Sequence, residues 1–249
     1  MTNGRKASID APENVTCLSC PVKSLCLTSG LAPGEIAQLG SIIQPPVALE
    51  SRETLVTQGM PLNSLYAVRT GMLKQVVTRE SDEQLITSLF LPGEIAGMEA
   101  IGTGVYPGTL LALETTFVCE IPYEKLSHLC GQSTGVCQGI QHLLSQKLHD
   151  ERLRLHSLLN QTADARLATF LVTFSEHFQR RGYSPYHFRL PLSQSDIGCY
   201  LGLSQETVSR IMMKYQRQKL LLIRGREFQI LDLERLKWLA ESSGRRKKQ

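Results

Sequence analysis

The sequence predicts an α+β chain in three successive parts: an antiparallel β-roll or barrel, one long helix and a C-terminal winged helix-turn-helix. Three observations predict it. Residues 47–122 are short β-like runs broken by glycine and proline, residues 136–162 contain no proline and space their leucines helically, and residues 192–221 read as two short helices meeting across a glycine. With 249 residues, 42% hydrophobic and 20% charged, the chain can bury a core in each of two domains. Its longest apolar runs, LITSLFL (85–91) and FLVTF (170–174), fall far short of the roughly 20 residues of a membrane-spanning helix. The N-terminus, MTNGRKASIDAPENV, has no apolar stretch of the secretory kind, so a cytoplasmic chain without membrane association is expected.

The first 30 residues are a cysteine-rich segment. CLSCPVKSLC, residues 17–26, places three thiols in ten residues on what reads as a short flexible loop. In a reducing compartment, and with seven cysteines in all, such clustering points to metal or redox chemistry ahead of structural disulfides. Cys17-x2-Cys20-x5-Cys26 can supply three thiolates to an iron–sulfur cluster or to zinc, and either needs a fourth ligand. Cys119, Cys130, Cys137 and Cys199 are all open to that role.

Residues 31–135 form the roll. ETLVTQG, SLYAVRTG, MLKQVVT, QLITSLFLPGE and ALETTFVCEIP supply its strands, and Gly59, Gly71, Gly93 and Gly108 with Pro61, Pro92 and Pro107 mark its turns. Residues 136–162 follow as the long helix, where Leu144, Leu148, Leu155 and Leu158 recur at 4, 7 and 3 residues. Such a seam faces its copy in a parallel dimer. Glu151 lies on the same stripe, so two carboxylates meeting there would repel and lose hydration, opposing association. The alternative pairs Glu151 with Arg152 or Arg154 of the other chain. His142, His149 and His156, seven apart on one face, read as solvent-facing.

Residues 163–249 begin with a helix over 163–180 and continue into the helix-turn-helix. Ser193 can cap its first helix with Asp196 three residues on, Ile197 and Leu201 supply the buried face, and Gly198 permits close approach of the partner helix. Gly202 suits the sharp turn, and Leu203, Val208 and Ile211 form the inner face of the pair. Ser204 caps the second helix, whose outward stripe is Glu206, Ser209, Arg210 and Met213. Arg210 can fork to guanine O6 and N7 and Glu206 can accept from cytosine N4, which is major-groove chemistry. The plainer reading is an exposed ion pair between Glu206 and Arg210. LLLIRGREFQIL (220–231) then reads as a two-stranded wing with Arg224 and Arg226 near phosphate. Charge follows this division: residues 190–249 carry 12 Lys and Arg against 6 Asp and Glu, and residues 1–189 carry 15 against 17. The tail Arg245, Arg246, Lys247, Lys248 reads as a frayed solubilising end.

GEIAGMEAIG, CEIPYEKL and DIGCYLGLSQETVSR, with the order roll, long helix, winged helix, resemble the CRP/FNR family of bacterial transcription regulators over nearly the whole chain. The likeness is strongest to the FNR branch. That resemblance implies a homodimer that binds double-stranded DNA of the TTGAT-N4-ATCAA type, with Glu206, Ser209 and Arg210 as the E-x-x-S-R readers, Gln205 as an added polar contact, and Ser193, Arg224 and Arg226 in the same interface. It implies a cyclic-nucleotide-binding-like roll as well. A cyclic phosphate there requires a glutamate followed by Arg-Ser or Arg-Thr, and although Glu94 is available, no basic residue occurs from Glu94 to Glu120, so no cyclic nucleotide is expected. The branch pairs its N-terminal cysteines with a distant one just before Glu-Ile-Pro, here Cys119-Glu120-Ile121-Pro122. Cys17, Cys20, Cys26 and Cys119 are thereby implied as ligands of a [4Fe-4S] cluster, leaving Cys130, Cys137 and Cys199 as bystanders. The implied protein is not an enzyme; it dimerises under low oxygen, loses the cluster to oxygen, and activates or represses transcription with RNA polymerase. Two rival readings are a DNA-binding regulator whose thiols hold zinc or form a disulfide, and an electron-transfer iron–sulfur protein.

Overall fold

The computed structural model describes residues 16–241, so the basic tail lies outside the described residues. Two compact units divide between Gln146 and Lys147, inside the long helix.

The first unit opens with two single 3-10 turns, Cys17–Ser19 and Lys23–Leu25, followed by α1 (Pro33–Ile42). Proline at the first helical position needs no amide partner, and the Ala32 amide donates to Glu35 Oε2 at 3.1 Å, which together start α1. Eight strands follow: β1 (Val47–Leu49), β2 (Thr54–Val56), β3 (Ser64–Thr70), β4 (Leu73–Thr78), β5 (Gln84–Phe90), β6 (Ile95–Ala96), β7 (Thr109–Ala112) and β8 (Thr116–Pro122). They form two antiparallel four-stranded sheets, ordered β1-β8-β3-β6 and β2-β7-β4-β5. The expected strands are all present. The short β1, β6 and β7 were not foreseen, nor was α1, nor α2 (Tyr123–Gln132), which continues directly from β8.

Strand β3 is buried on both faces. Tyr66 and Val68 point into the roll with Leu73, Phe90, Leu110 and Val118, while Leu65 and Ala67 point outward to a second core with Leu27, Leu39, Ile121, Leu126 and Val136. Burial on both faces explains why LYAV reads as a continuous apolar run and not as an alternating one. The long helix, α3, spans Thr134–Asn160, two residues earlier at each end than 136–162. Ser133 Oγ accepts from the Val136 amide at 3.2 Å and donates to Glu35 Oε1 at 2.7 Å, fixing its start. Thr162 already caps the next helix by accepting from the Ala165 amide at 3.3 Å, fixing its end.

The second unit contains α4 (Ala163–Arg180), β9 (His187–Arg189), α5 (Gln194–Leu201), α6 (Gln205–Arg217), β10 (Leu221–Arg224), β11 (Glu227–Ile230) and α7 (Leu233–Glu241). Leu167, Leu171, Val208, Ile211, Tyr215 and Leu236 are among its fully buried side chains. The Tyr215 hydroxyl, buried with them, donates to the Asp164 carbonyl at 2.7 Å. The wing has a third strand, β9, beyond the expected pair, in the order β10-β11-β9, and α7 is a further unexpected element.

Candidate thiol centre and nucleic-acid interface

The cysteine segment is packed, which corrects the expectation of a flexible loop. Its turns are closed by Ser19 N to Thr16 O (3.1 Å), Lys23 N to Cys20 O (3.2 Å) and Leu25 N to Val22 O (3.0 Å), and the Thr28 hydroxyl donates to the Lys23 carbonyl at 2.6 Å. Leu25 lies against Gly93, where the backbone has φ +94° and an added Cβ would stand 2.7 Å from Leu25 Cβ. Only glycine serves both demands there. Leu27 is 2% exposed and rests beside Gly139 of α3, so the segment touches the start of the long helix. Cys26, Leu27 and Leu31 line a cleft of about 220 Å³ with Gly139, His142 and Leu143.

Cys119 sits on β8 directly opposite Ala67 of β3, on the outward face of the sheet. Burial pushes its thiol up to about 11; Arg69 opposes this, and Cys17 and Cys20 add to it. Burial likewise pushes Cys26 up to about 12, against a hydrogen bond from the Leu27 amide and reinforced by Cys119, Cys17 and Cys20. Cys17 is raised by burial and by Cys20, and lowered by Arg69. All four thiols are half-buried and lie within electrostatic range of one another. Raised thiols hold their protons at neutral pH, so uptake of a soft cation would release them. Among the described residues no three His, Cys, Asp or Glu side chains are gathered closely enough to hold a single metal ion.

Two of the other cysteines lie within electrostatic range of each other. Cys130 on α2 is raised by burial and then by Cys137 on α3, a proximity across the Ser133 break that the spacing did not suggest. Cys199 is half-buried within α5.

In the second unit, the α5–α6 pair follows the sequence closely. Ser193 Oγ accepts from the Asp196 amide at 3.0 Å while the Ser193 amide donates to Asp196 Oδ2 at 3.0 Å, a reciprocal capping box that occupies the serine proposed for the interface. Gly202 closes α5 at φ +63°, and a Cβ on Gly198 would stand 2.6 Å from the Leu203 carbonyl oxygen. Ser204 Oγ accepts from the Thr207 amide at 3.2 Å to start α6. Val208 and Ile211 are buried as expected, whereas Leu203 is only half-buried. Gln205, Glu206, Arg210 and Met213 are exposed and Ser209 is half-buried, giving one outward polar stripe. At the wing, Arg224 pairs across with Glu227 and the tip is Gly225-Arg226, with both arginines exposed. Arg166, which the sequence did not single out, donates from α4 to the Leu201 carbonyl at 3.0 Å and so holds the last turn of α5.

Along α3, Leu144, Leu148 and Leu155 are exposed, and so are His142, His149 and His156. Leu158 departs from that seam: it is half-buried, and its Cδ2 lies 3.8 Å from where a Gly202 Cβ would be. Leu159, one residue on, is 73% exposed instead. Glu151 is not a bare carboxylate, because Lys147 and Arg154 of its own helix hold it at 3.4 and 3.0 Å.

The domains of this chain match known families. Residues 46–133 match the cyclic nucleotide-binding domain and residues 165–239 the Crp-like helix-turn-helix domain. The chain is 39% identical to the transcriptional activator protein anr of Pseudomonas aeruginosa, over 87% of this chain and 88% of that protein. It is 36% identical to the fumarate and nitrate reduction regulatory protein of Escherichia coli K12, over 91% of this chain and 90% of that protein. Among solved structures, FixK2 of Bradyrhizobium japonicum is similar with a TM-score of 0.70 at 26% identity, covering 78% of this chain and 96% of that one. With both domains in this order and relatives matched nearly end to end, the chain belongs to the CRP/FNR family of transcription regulators.

Proposed function

We propose that this regulator responds to oxygen through a [4Fe-4S] cluster held by Cys17, Cys20, Cys26 and Cys119. One observation carries the reading: β8 brings Cys119 within electrostatic range of the three N-terminal thiols, while Cys130 feels Cys137 instead. The donor set is all thiolate, which suits an iron–sulfur cluster. Bound there, the cluster supplies an oxygen-labile tie among the four sulfurs. The chain supplies the rest. Leu27 beside Gly139 carries the order of the cysteine segment to α3, whose exposed Leu144, Leu148 and Leu155 pair with a second copy, with Glu151 within that seam. In that dimer, two α6 helices enter successive major grooves roughly 34 to 36 Å apart on a TTGAT-N4-ATCAA palindrome. Arg210 reads guanine, Glu206, Ser209 and Gln205 add polar contacts, Ser193 stands at the edge of the interface, and Arg224 and Arg226 meet phosphate. RNA polymerase is the partner in transcription, in the cytoplasm. The roll takes no cyclic nucleotide: residues 94–120 hold no Lys or Arg, and Tyr66, Phe90 and Tyr106 fill its interior.

The test is a mobility shift with that duplex and a scrambled one, run anaerobically and again after exposure to air. A specific complex that disappears in air is expected. Equal binding to both duplexes would favour an electron carrier, and specific binding indifferent to air would remove oxygen as the signal.

A further inference from the structure

Arg69 is a buried charge without a counter-ion among the described residues. It is 8% exposed, and among the described residues no carboxylate pairs with it and no acceptor takes a hydrogen bond from its guanidinium. Glu120, next to Cys119, accepts from Ser64 Oγ at 2.9 Å instead. An isolated charge is among the costliest groups to take out of water. No side-chain nitrogen among the described residues is both fully enclosed and unpartnered, so each guanidinium nitrogen keeps some contact with water although the residue as a whole is buried.

The backbone explains how it arrives there. The β3–β8 pairing runs Ala67↔Cys119 and Val68↔Val118, then slips to Thr70↔Phe117, which leaves Arg69 as the extra residue of a bulge. Tyr66 and Val68 face the roll interior, and Leu65 and Ala67 face outward with Cys119. Arg69, in the bulge just beyond the Ala67↔Cys119 and Val68↔Val118 pairs, lies diagonal to Cys119, within reach of a long side chain. Its charge acts on Cys119 and on Cys17, which belong to different ends of the unit.

We propose that Arg69 is the counter-charge of the four-thiolate site, a positioning residue that balances the anion enclosed by Cys17, Cys20, Cys26 and Cys119. This rests on the cluster reading above. A [4Fe-4S] core with four thiolates carries a net charge of about −2, and a guanidinium, permanently charged and weakly hydrated, suits a buried place beside it. Arg69 therefore holds the thiolates against their mutual repulsion and makes the bound cluster easier to reduce. Loss of one charge at this range is expected to shift such equilibria by roughly tenfold.

The experiment reconstitutes wild type, Arg69→Lys, Arg69→Gln and Arg69→Met anaerobically. It measures the rate of iron loss to a ferrous chelator and the one-electron midpoint potential by EPR-monitored reduction. Expected are about tenfold faster iron loss and a potential lower by about 59 mV, tenfold for one electron, in the Gln and Met variants, with Lys close to wild type. If Arg69→Met fails to fold, the Lys and Gln pair carries the same comparison. Loaded variants indistinguishable from wild type, or Lys as defective as Gln, overturn the role of Arg69 and leave the cluster standing. A wild type that takes up no iron overturns the cluster reading itself.

Discussion

The α5–α6 pair and the cysteine segment are held together by different physics. In the pair, serine hydroxyls cap both helices, Gly198 lets the second helix approach to contact, Arg166 takes the last carbonyls of α5, and Val208 and Ile211 close an apolar inner face. The polar groups that build it find partners within one unit of the chain. The cysteine segment has two single turns, four half-buried thiols of which Cys17, Cys26 and Cys119 are raised first by burial, and a neighbouring guanidinium with no partner among the described residues. The outward stripe of α6 thus stands complete in the protein alone, whereas the thiols and the guanidinium are, on the proposed reading, groups that a bound anionic cluster would satisfy. A signal at the thiols should therefore act on how chains associate, and leave the shape of α6 unchanged.

The largest test of that contrast is ligand removal. Cys20→Ala and Cys119→Ala are each expected to lose nearly all iron after anaerobic purification while the second unit unfolds at its normal denaturant concentration; Cys130→Ala should keep its iron. Retained iron in Cys119→Ala together with its loss in Cys130→Ala would assign the fourth ligand wrongly. The reciprocal lesion is Gly198→Ala. Its methyl group would meet the Leu203 carbonyl at 2.6 Å, and overpacking of this kind costs about 1 to 3 kcal/mol. Chemical denaturation should show that loss in the second unit, with iron content unchanged.

Arg210→Ala leaves both units folded and removes one reader. Titration on specific and random duplexes should show a cost of about 1 to 3 kcal/mol on the specific site and relaxed preference at its G·C pair. Equal losses on both duplexes would make Arg210 a phosphate contact. The smallest effect belongs to Glu151, since its charge is already shared with Lys147 and Arg154 at 37% side-chain exposure. Glu151→Ala should raise the dimer fraction of the cluster-free protein in air by a few fold, read by sedimentation at micromolar concentration. A distribution matching wild type would remove Glu151 from control of association.

The same contrast governs what the sequence reveals. Caps, turn glycines and the outward stripe of α6 lie within 192–213, so local spacing was enough to place them. Leu158 shows the limit, because it turns from the seam toward Gly202, a contact set by tertiary packing. β9 is illegible in the sequence for a related reason: HFR is three residues long and is a strand only through its pairing with β11. The thiol site is mostly non-local. Spacing alone left four candidates for the fourth cysteine, and the family likeness singled out Cys119; its nearness to Cys26 depends on the roll and on the β3–β8 register. Arg69 gave no signal at all, since a one-residue bulge decides which way it faces and nothing in LYAVRTG announces the slip.

Metal analysis of the protein as purified under strict anaerobic conditions tests the central claim most directly. About four irons and four acid-labile sulfides per chain are expected, with a brown colour that bleaches in air as the specific DNA complex is lost. A colourless chain with one zinc and no sulfide, binding the same duplex in air and in its absence, would contradict it.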